Sequence, residues 1–151
     1  MGGDLTRSAE NEAPRFMVAA TRDPDGANLD RIQIIKGWLD ARGETQEKIF
    51  NVALSDGRKA NWRGEIPPVG NTVDGANVIY SNSIGESELT AVWTDPDFDP
   101  EQRAFYYARV IQIPTPRWTA YDAKYFGAVI DPRAPKTIQD RAYSSPIWYT
   151  P

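Results

Sequence analysis

The chain of 151 residues contains no cysteine and no histidine. Without cysteine it can form no disulfide, thiolate nucleophile or redox-active cysteine pair. Without histidine it lacks the usual general base at neutral pH and the commonest zinc ligand. Ser-His-Asp and Cys-His catalysis and the usual zinc sites are therefore excluded. Carboxylate chemistry, a Ser-Lys pair and hard-cation binding through oxygen remain open, but we expect this chain by itself not to be an enzyme.

Long apolar runs and clustered positive charge are also missing. No apolar stretch approaches the roughly 18 residues that cross a bilayer, and the N-terminus lacks the basic and apolar segments of a signal peptide. Lysine and arginine are scattered, and the formal net charge is −4, whereas binding to a phosphate backbone depends on a basic surface. We therefore expect a soluble protein with no cofactor, no nucleic-acid or membrane partner and no export signal of its own.

What is present is ordinary globular composition, with 40% hydrophobic and 25% charged residues. This length fits one domain with a core of its own. Residues 1–14 are small, polar and without periodicity, which predicts a flexible lead-in. Residues 15–151 are predicted to form the single folded domain.

The pattern along this domain is that of short β-strands. Apolar and polar residues alternate, and Gly, Pro, Asn and Asp separate the runs. Strands are predicted over 16–21, 29–39, 47–54, 72–82, 88–93, 104–113 and 141–151, the last interrupted by Pro146. Only residues 121–129 could form a turn or two of helix. About seven short strands with long loops predict an all-β, antiparallel, immunoglobulin-like β-sandwich.

Three aspartates at alternate positions, Asp95, Asp97 and Asp99, resemble the start of a calcium loop. An EF-hand loop needs Gly at its sixth position and Glu at its twelfth, and this chain has Pro100 and Tyr106 there. The EF-hand pattern therefore fails. Calcium binding of another kind by these aspartates stays open.

A structural interpretation uses more of this segment. Asp99 can cap a short helical turn, with Pro100 at its first position and Gln102 where a capping box has its amide. In immunoglobulin-like sandwiches a tyrosine hydroxyl often bonds back to such a corner. We expect Tyr106 or Tyr107 to make this bond.

The tryptophans allow a carbohydrate-binding interpretation, because exposed aromatic rings stack on sugars. Three of the five fall inside predicted strands, where a core role is the default, and two fall in loops. The strand residues are Trp38, Trp93 and Trp148; the loop residues are Trp62, predicted to pin its loop, and Trp118. Ser144 and Ser145 have no base beside them and indicate a turn at the end of a strand.

Four long strings, at 23–53, 66–74, 91–123 and 138–151, closely resemble the C-terminal end of the bacterial family known as domain of unknown function 3604. The resemblance runs from about Arg15 to Pro151, and GGDL at 2–5 resembles an internal stretch of that family. In related hydrolases a YYxRV strand and an SSPIW strand form the final antiparallel pair. Tyr106–Val110 and Ser144–Trp148 match these two patterns.

Members of that family are several times longer, and their main part resembles a metal-dependent hydrolase barrel of the polymerase and histidinol phosphatase type. The resemblance implies that any catalytic and metal-binding residues lie upstream, so none is assigned here. It also suggests a periplasmic or secreted location. We expect a non-catalytic, supporting C-terminal β-sandwich that contacts such an upstream domain and can self-associate through an uncovered edge. The alternative is a stand-alone calcium- or carbohydrate-binding module.

Overall fold

A computed structural model of the chain describes residues 2–8 and 10–151. The described residues are mostly strands with one short helix, which confirms the all-β class. The strands are β1 (Gly3–Thr6), β2 (Arg15–Thr21), β3 (Leu29–Leu39), β4 (Thr45–Leu54), β5 (Glu88–Thr94), β6 (Ala104–Gln112), β7 (Thr115–Pro116), β8 (Thr137–Ile138), β9 (Arg141–Tyr143) and β10 (Ile147–Thr150), and the helix is α1 (Trp118–Phe126).

Six of these strands form one large sheet in the order β1-β10-β6-β3-β4, with β9 pairing β6 beside β10. All its pairs are antiparallel except β1 with β10. β3 and β4 form the predicted hairpin, and Gly43 in its turn adopts a φ of 78°, a conformation that glycine tolerates without strain. β6 pairs with β9 and β10, so the two strings that match the YYxRV and SSPIW patterns are neighbours.

A small sheet, β2 paired antiparallel with β5, lies over one face of the large sheet. The Phe16 ring of β2 lies 4.9 Å from the Tyr106 ring of β6, and the Trp93 ring of β5 lies 4.8 Å from the Phe50 ring of β4. We call this side of the large sheet the covered face and the opposite side the open face. The buried residues of the covered face form the core: Ile32, Ile34, Ala104, Tyr106 and Tyr149.

The two long connections, residues 55–87 and 113–140, both contact the N-terminal end of β3. The fully buried carboxylate of Asp30 is ion-paired with Arg58 and Arg31, and it accepts a hydrogen bond from Gln139 Nε2 at 3.0 Å. Asn28 donates from its side chain to carbonyls of residues 82, 84 and 85. These polar contacts hold the two connections against the large sheet.

The structure differs from the sequence prediction in two segments, one near the N-terminus and one in the middle of the chain. Gly3–Thr6 form β1 within the predicted flexible lead-in; Leu5 packs against the core, but four residues are too few to show alternation. The strand predicted over 72–82 is wrong, since only an isolated bridge joins Asp74 and Ile79. Asp74 there accepts hydrogen bonds from the backbone N–H groups of Ala76 and Asn77, an arrangement that competes with a strand.

Over residues 2–8 and 10–151, no helix has the length and apolar character needed to traverse a bilayer.

Candidate functional site

The open face of the large sheet is the most distinctive surface of the described residues. Strand pairing places aromatic side chains from three strands on it, although neither β2 nor β5 lies over it. These residues are Phe105 and Tyr107 of β6, Trp148 of β10 and Tyr143 of β9. Trp148 is 50% exposed and Tyr143 is 57% exposed. Large aromatic rings left this exposed and close together are typical of a contact surface.

The four rings form a continuous row. Successive ring centroids are 5.2 Å apart from Trp148 to Phe105, 6.3 Å from Phe105 to Tyr107, and 6.2 Å from Tyr107 to Tyr143. The Phe105 and Tyr107 planes are nearly parallel, at 10°. Because each ring supports the next, the row is a preformed surface rather than four independent side chains.

Gly37 of β3 allows the centre of this row to lie flat. A Cβ atom at Gly37 would be 2.3 Å from Cζ of Phe105 and 2.6 Å from its Cε1, closer than real Cβ contacts. The Phe105 ring therefore lies across the bare backbone of its neighbouring strand, where a glycine without a side chain leaves room. The row depends on this glycine as much as on the aromatic residues.

A groove of about 580 Å³ opens beside Trp148 at one end of the row. Its floor includes Gly37, Leu39 and Phe105, and polar side chains line its rim: Thr45, Glu47, Arg103 and Thr150. A concave apolar floor with a few polar groups is the usual composition of a small-ligand site.

At the far end of the open face the surface becomes polar. Arg109 donates from Nε to Oε1 of Gln33 at 2.8 Å, and Gln33 donates from Nε2 to Oδ1 of Asn51 at 2.8 Å. The three side chains cross β6, β3 and β4 in one line. The aromatic row is thus bounded by a fixed polar row on the same face.

The acidic segment lies at the covered face and is a buried ion-pair network. Lys36 Nζ donates to Oδ2 of Asp95 at 2.6 Å and to the carbonyl of Asp97 at 2.7 Å, and both Lys36 and Asp95 are almost fully buried. The hydroxyl of Tyr106 donates to the same Asp95 oxygen at 2.8 Å. Burial is the main cause that raises the pKa of Tyr106 above its usual range, and this hydrogen bond is the second cause. The Asp95 carboxylate is therefore bound by Lys36 and Tyr106 inside the protein.

The other two aspartates of the segment, Asp97 and Asp99, also interact with groups of the protein itself. Lys48 Nζ lies 2.6 Å from Oδ2 of Asp97. Asp99 Oδ1 accepts a hydrogen bond from the N–H of Glu101 at 2.9 Å, so Asp99 caps as predicted, but it caps a single turn rather than a turn of helix. Within 2–8 and 10–151, no group of three acidic side chains is placed to hold a metal ion.

The tyrosine that bonds back to the corner is not one of the two predicted. The hydroxyl of Tyr149, on β10, donates to the carbonyl of Pro100 at 2.9 Å. Tyr106 instead bonds the Asp95 carboxylate, and Tyr107 faces the open side. The prediction failed because β10 lies 49 residues further along the chain, beyond what local spacing can indicate.

The structure places the five tryptophans differently from the sequence prediction in two cases. Trp38 and Trp93 are partly buried and pack against the core, as predicted. Trp148 was predicted to be a core residue and instead forms one end of the aromatic row. Trp62 was predicted to pin its loop by being buried, but it is 85% exposed. The Arg63 guanidinium lies 4.5 Å from its ring centroid. Trp118 is exposed at the start of α1.

Ser144 has the turn role that the sequence indicated. Its Oγ accepts a hydrogen bond from the N–H of Ala108 and donates one to the carbonyl of Ser145. These bonds attach the link between β9 and β10 to β6.

The open-face residues Phe105, Tyr107 and Tyr143 were not predicted as a site. The alternation of β6 separates Phe105, Tyr107, Arg109 and Ile111 from Tyr106, Ala108 and Val110, but both sets are apolar. Only the mixture of Arg109 into the first set signals that this side meets solvent.

Comparison with known proteins gives one match. The family model described as "Protein of unknown function (DUF3604)" matches residues 1–151. Neither the curated proteins nor the solved structures contain a match to the chain.

Proposed function

The chain belongs to the DUF3604 family, and we propose that it is a non-catalytic supporting domain whose open face packs against a neighbouring domain of a longer, hydrolase-like protein. The observation that carries this proposal is the row of four aromatic side chains on the open face. The neighbouring domain is the metal-dependent, barrel-like part that the family resemblance implies upstream.

The composition of the open face suits an interface between protein domains. Aromatic residues and arginine are enriched where proteins contact one another, and Trp, Tyr and Arg most often carry the binding energy. Trp148, Tyr107 and Tyr143 would supply apolar area, and Arg109 lies at the edge of the row. An apolar centre with a polar border is the usual pattern of such interfaces.

The acidic residues support a structural role for this chain. The carboxylates of Asp30 and Asp95 are buried and paired with cations, and Asp97 pairs with Lys48. Carboxylates held in this way stabilise loops and corners, and they are not free to accept a proton from a substrate or to bind calcium. With no histidine or cysteine in the sequence, the chemistry of the parent protein is expected elsewhere.

The fold assignment within this proposal is an immunoglobulin-like β-sandwich. Two features support it: the small sheet lies face to face with the large one, and the hydroxyl of Tyr149 donates to the corner carbonyl of Pro100. The small sheet has only two strands, fewer than a complete sandwich of this type contains.

Hydroxyl-radical footprinting tests the proposal on the gene product with its natural flanking sequence. We expect the oxidation rates of Trp148 and Tyr143 to fall severalfold in the longer protein relative to the isolated chain, since docking removes them from water. Trp62, which is 85% exposed on the connection of residues 55–87, is the internal control and should be oxidised equally in both. Equal oxidation of Trp148 in the two proteins would contradict the proposal.

A second candidate function is carbohydrate binding in the groove beside Trp148. The half-exposed Trp148 ring offers a stacking surface, and Thr45, Glu47 and Arg103 supply hydrogen-bonding groups around it. Retention on a glycan array that Trp148→Ala abolishes and Trp62→Ala preserves would favour this function. No retention of the native chain would exclude it for the glycans on that array.

A further inference from the structure

The free edge of β2 lies on the other side of the large sheet from the aromatic row. We propose that this edge accepts an extended segment of a partner chain, which adds to the small sheet as a third strand. Over residues 2–8 and 10–151 the small sheet contains only β2 and β5, so β2 has one paired edge and one unpaired edge there. Addition of a strand to such an edge is a recurring mode of peptide recognition.

The backbone of β2 offers a regular set of hydrogen-bonding groups at that edge. Asp95 N–H donates to Pro14 O, and Arg22 N–H donates to Ser87 O, so even-numbered residues of β2 bond to β5. In an antiparallel pair the alternate residues direct their N–H and C=O groups to the other side. Among the described residues no backbone partner exists for these outward groups, which belong to Arg15, Met17, Ala19 and Thr21.

Below this edge the large sheet provides an apolar floor. A groove of about 250 Å³ is lined by Phe16, Val18, Tyr106, Ala108 and Ile147. A second groove, of about 280 Å³, is lined by Ala20, Val110 and Ala142 and lies along the remainder of the same edge. Together the two grooves run beside β2 from Phe16 to Thr21. A strand seated there would gain backbone hydrogen bonds and bury apolar side chains simultaneously.

The grooves specify the chemistry of the occupant. Since alternate side chains of a strand point to opposite faces, the segment should be apolar at every second position and polar between. Arg15 stands at one end of the edge and has no ion-pair partner among the described residues, whereas the other end carries both Asp140 and Arg141. A segment antiparallel to β2 would match Arg15 with an acidic C-terminal end.

A second copy of this chain does not fit the same edge. β2 lies over β6, and the large sheet continues past it to β10 and β1. If two small sheets met edge to edge, these overhanging strands of the two copies would occupy the same space. A single extended segment avoids this collision, which is why we assign the edge to a partner's peptide rather than to a homodimer.

Titration with a synthetic peptide, Lys-Thr-Val-Thr-Val-Thr-Val-Thr-Glu, tests the proposal by nuclear magnetic resonance. We expect saturable binding that slows amide exchange at Met17 and Ala19, while Val18, already bonded to β5, changes little. A peptide of equal composition without alternation, Lys-Val-Val-Val-Thr-Thr-Thr-Thr-Glu, is the control. It should bind more weakly or not at all.

Two proline variants locate the binding edge. Ala19→Pro removes an outward N–H that bonds nothing within the small sheet, so we expect it to fold and to weaken binding about tenfold, the contribution of one interstrand hydrogen bond. Thr90→Pro makes the same change on the opposite edge of β5 and should leave binding unchanged. Circular dichroism and urea unfolding confirm that each variant folds.

Three outcomes would overturn the proposal. The first is no slowing of exchange at Met17 and Ala19 at any peptide concentration. The second is equal binding by Ala19→Pro and the native chain. The third is concentration-dependent dimerisation that protects the same amides without peptide, because the occupant would then be a second copy. Since Trp148 and Tyr143, the residues followed by footprinting, line neither groove, each outcome leaves the footprinting test of the open face independent.

Discussion

The two faces of the large sheet carry the same types of residue but differ in what lies against them. On the covered face, Tyr106 is almost fully buried between the sheets and its hydroxyl bonds an internal carboxylate. On the open face, Tyr107 and Phe105 lie on the same strand, and their neighbour Trp148 is half exposed. Aromatic content therefore does not by itself define a core. On the covered face the second sheet and the buried Lys36–Asp95 pair complete the core, whereas on the open face Ile35 is fully buried but neither β2 nor β5 lies over the aromatic row.

The largest effect is expected where the covered face depends on a buried charge. Asp95→Ala leaves the Lys36 ammonium buried without its carboxylate, and we expect the free energy of unfolding to fall by about 3–5 kcal/mol. Urea unfolding of the native chain and the variant measures the change. Replacement of both partners, Lys36→Met with Asp95→Leu, should cost clearly less. An equal loss in the single and double variants would show that the charge pair is not the cause.

Tyr106→Phe separates the hydroxyl from the ring on the same face. We expect a loss of about 1.5–3 kcal/mol, the range for hydrogen bonds to charged groups. The pKa of Tyr106 is raised above its ordinary value of 10.0, so the folded state holds this proton more tightly than the unfolded state. Its contribution is complete below pH 10 and declines as the pH rises above that value.

The alkaline unfolding curve therefore provides a second measurement. The Tyr106→Phe variant should show a weaker loss of stability above pH 10 than the native chain does. Tyr107→Phe, on the open face of the same strand, is the matched control and should retain the native pH dependence. Identical alkaline curves for the native chain and Tyr106→Phe would contradict the assignment.

Gly37→Ala tests whether the open face is preformed. The new Cβ must displace the Phe105 ring, and we expect a loss of about 1–3 kcal/mol from this overpacking, together with a change in the near-ultraviolet circular dichroism of the aromatic row. Gly75→Ala is the matched control, because its backbone has no atom within 4 Å of the added Cβ and its φ is not positive. A native aromatic signal in Gly37→Ala would mean that the row does not depend on the bare backbone there.

The smallest effect is expected at the β3–β4 turn, which belongs to neither face. The N–H of Glu44, with smaller contributions from Arg42 and Gln46, lowers the pKa of the partly exposed Asp40 below its ordinary value of 3.8. Its contribution is present above that value and is lost as the pH falls through the lowered pKa. Asp40→Ala should therefore reduce the acid dependence of the melting temperature slightly. Asp40→Asn, which keeps an acceptor oxygen but no charge, distinguishes hydrogen bonding from charge.

Local patterns in the sequence predicted the long strands well. β3 has the predicted bounds, 29–39, and β2, β4, β5 and β6 agree within two residues, because each alternates clearly and ends in turn-forming residues. The strand predicted over 72–82 failed where the Asp74 side chain bonds the backbone locally. Short strands such as β1 are determined by packing on distant neighbours, which local spacing does not record.

The candidate site was less accessible to sequence reasoning. Alternation divided β6 correctly into two sets, yet it could not say which set the small sheet would cover. That choice depends on contacts such as Lys36 with Asp95 and Tyr149 with Pro100, which join residues 59 and 49 positions apart. Trp148 was assigned to the core for the same reason: its strand was identified, but its side of the sheet was not.

The carboxylate of Asp30 has a consequence for the order of folding. Its adjacent residue Arg31 is present from the start, but Arg58 and Gln139 lie 28 and 109 positions further along the chain, so during synthesis the carboxylate gains its partners in stages. Arg58 can reach it once the β3–β4 hairpin has formed, whereas Gln139 must wait until nearly the whole chain has emerged. Contacts between residues so distant in sequence slow folding. We therefore expect a hairpin-first order in which closure of the loops around Asp30 is a late and slow step.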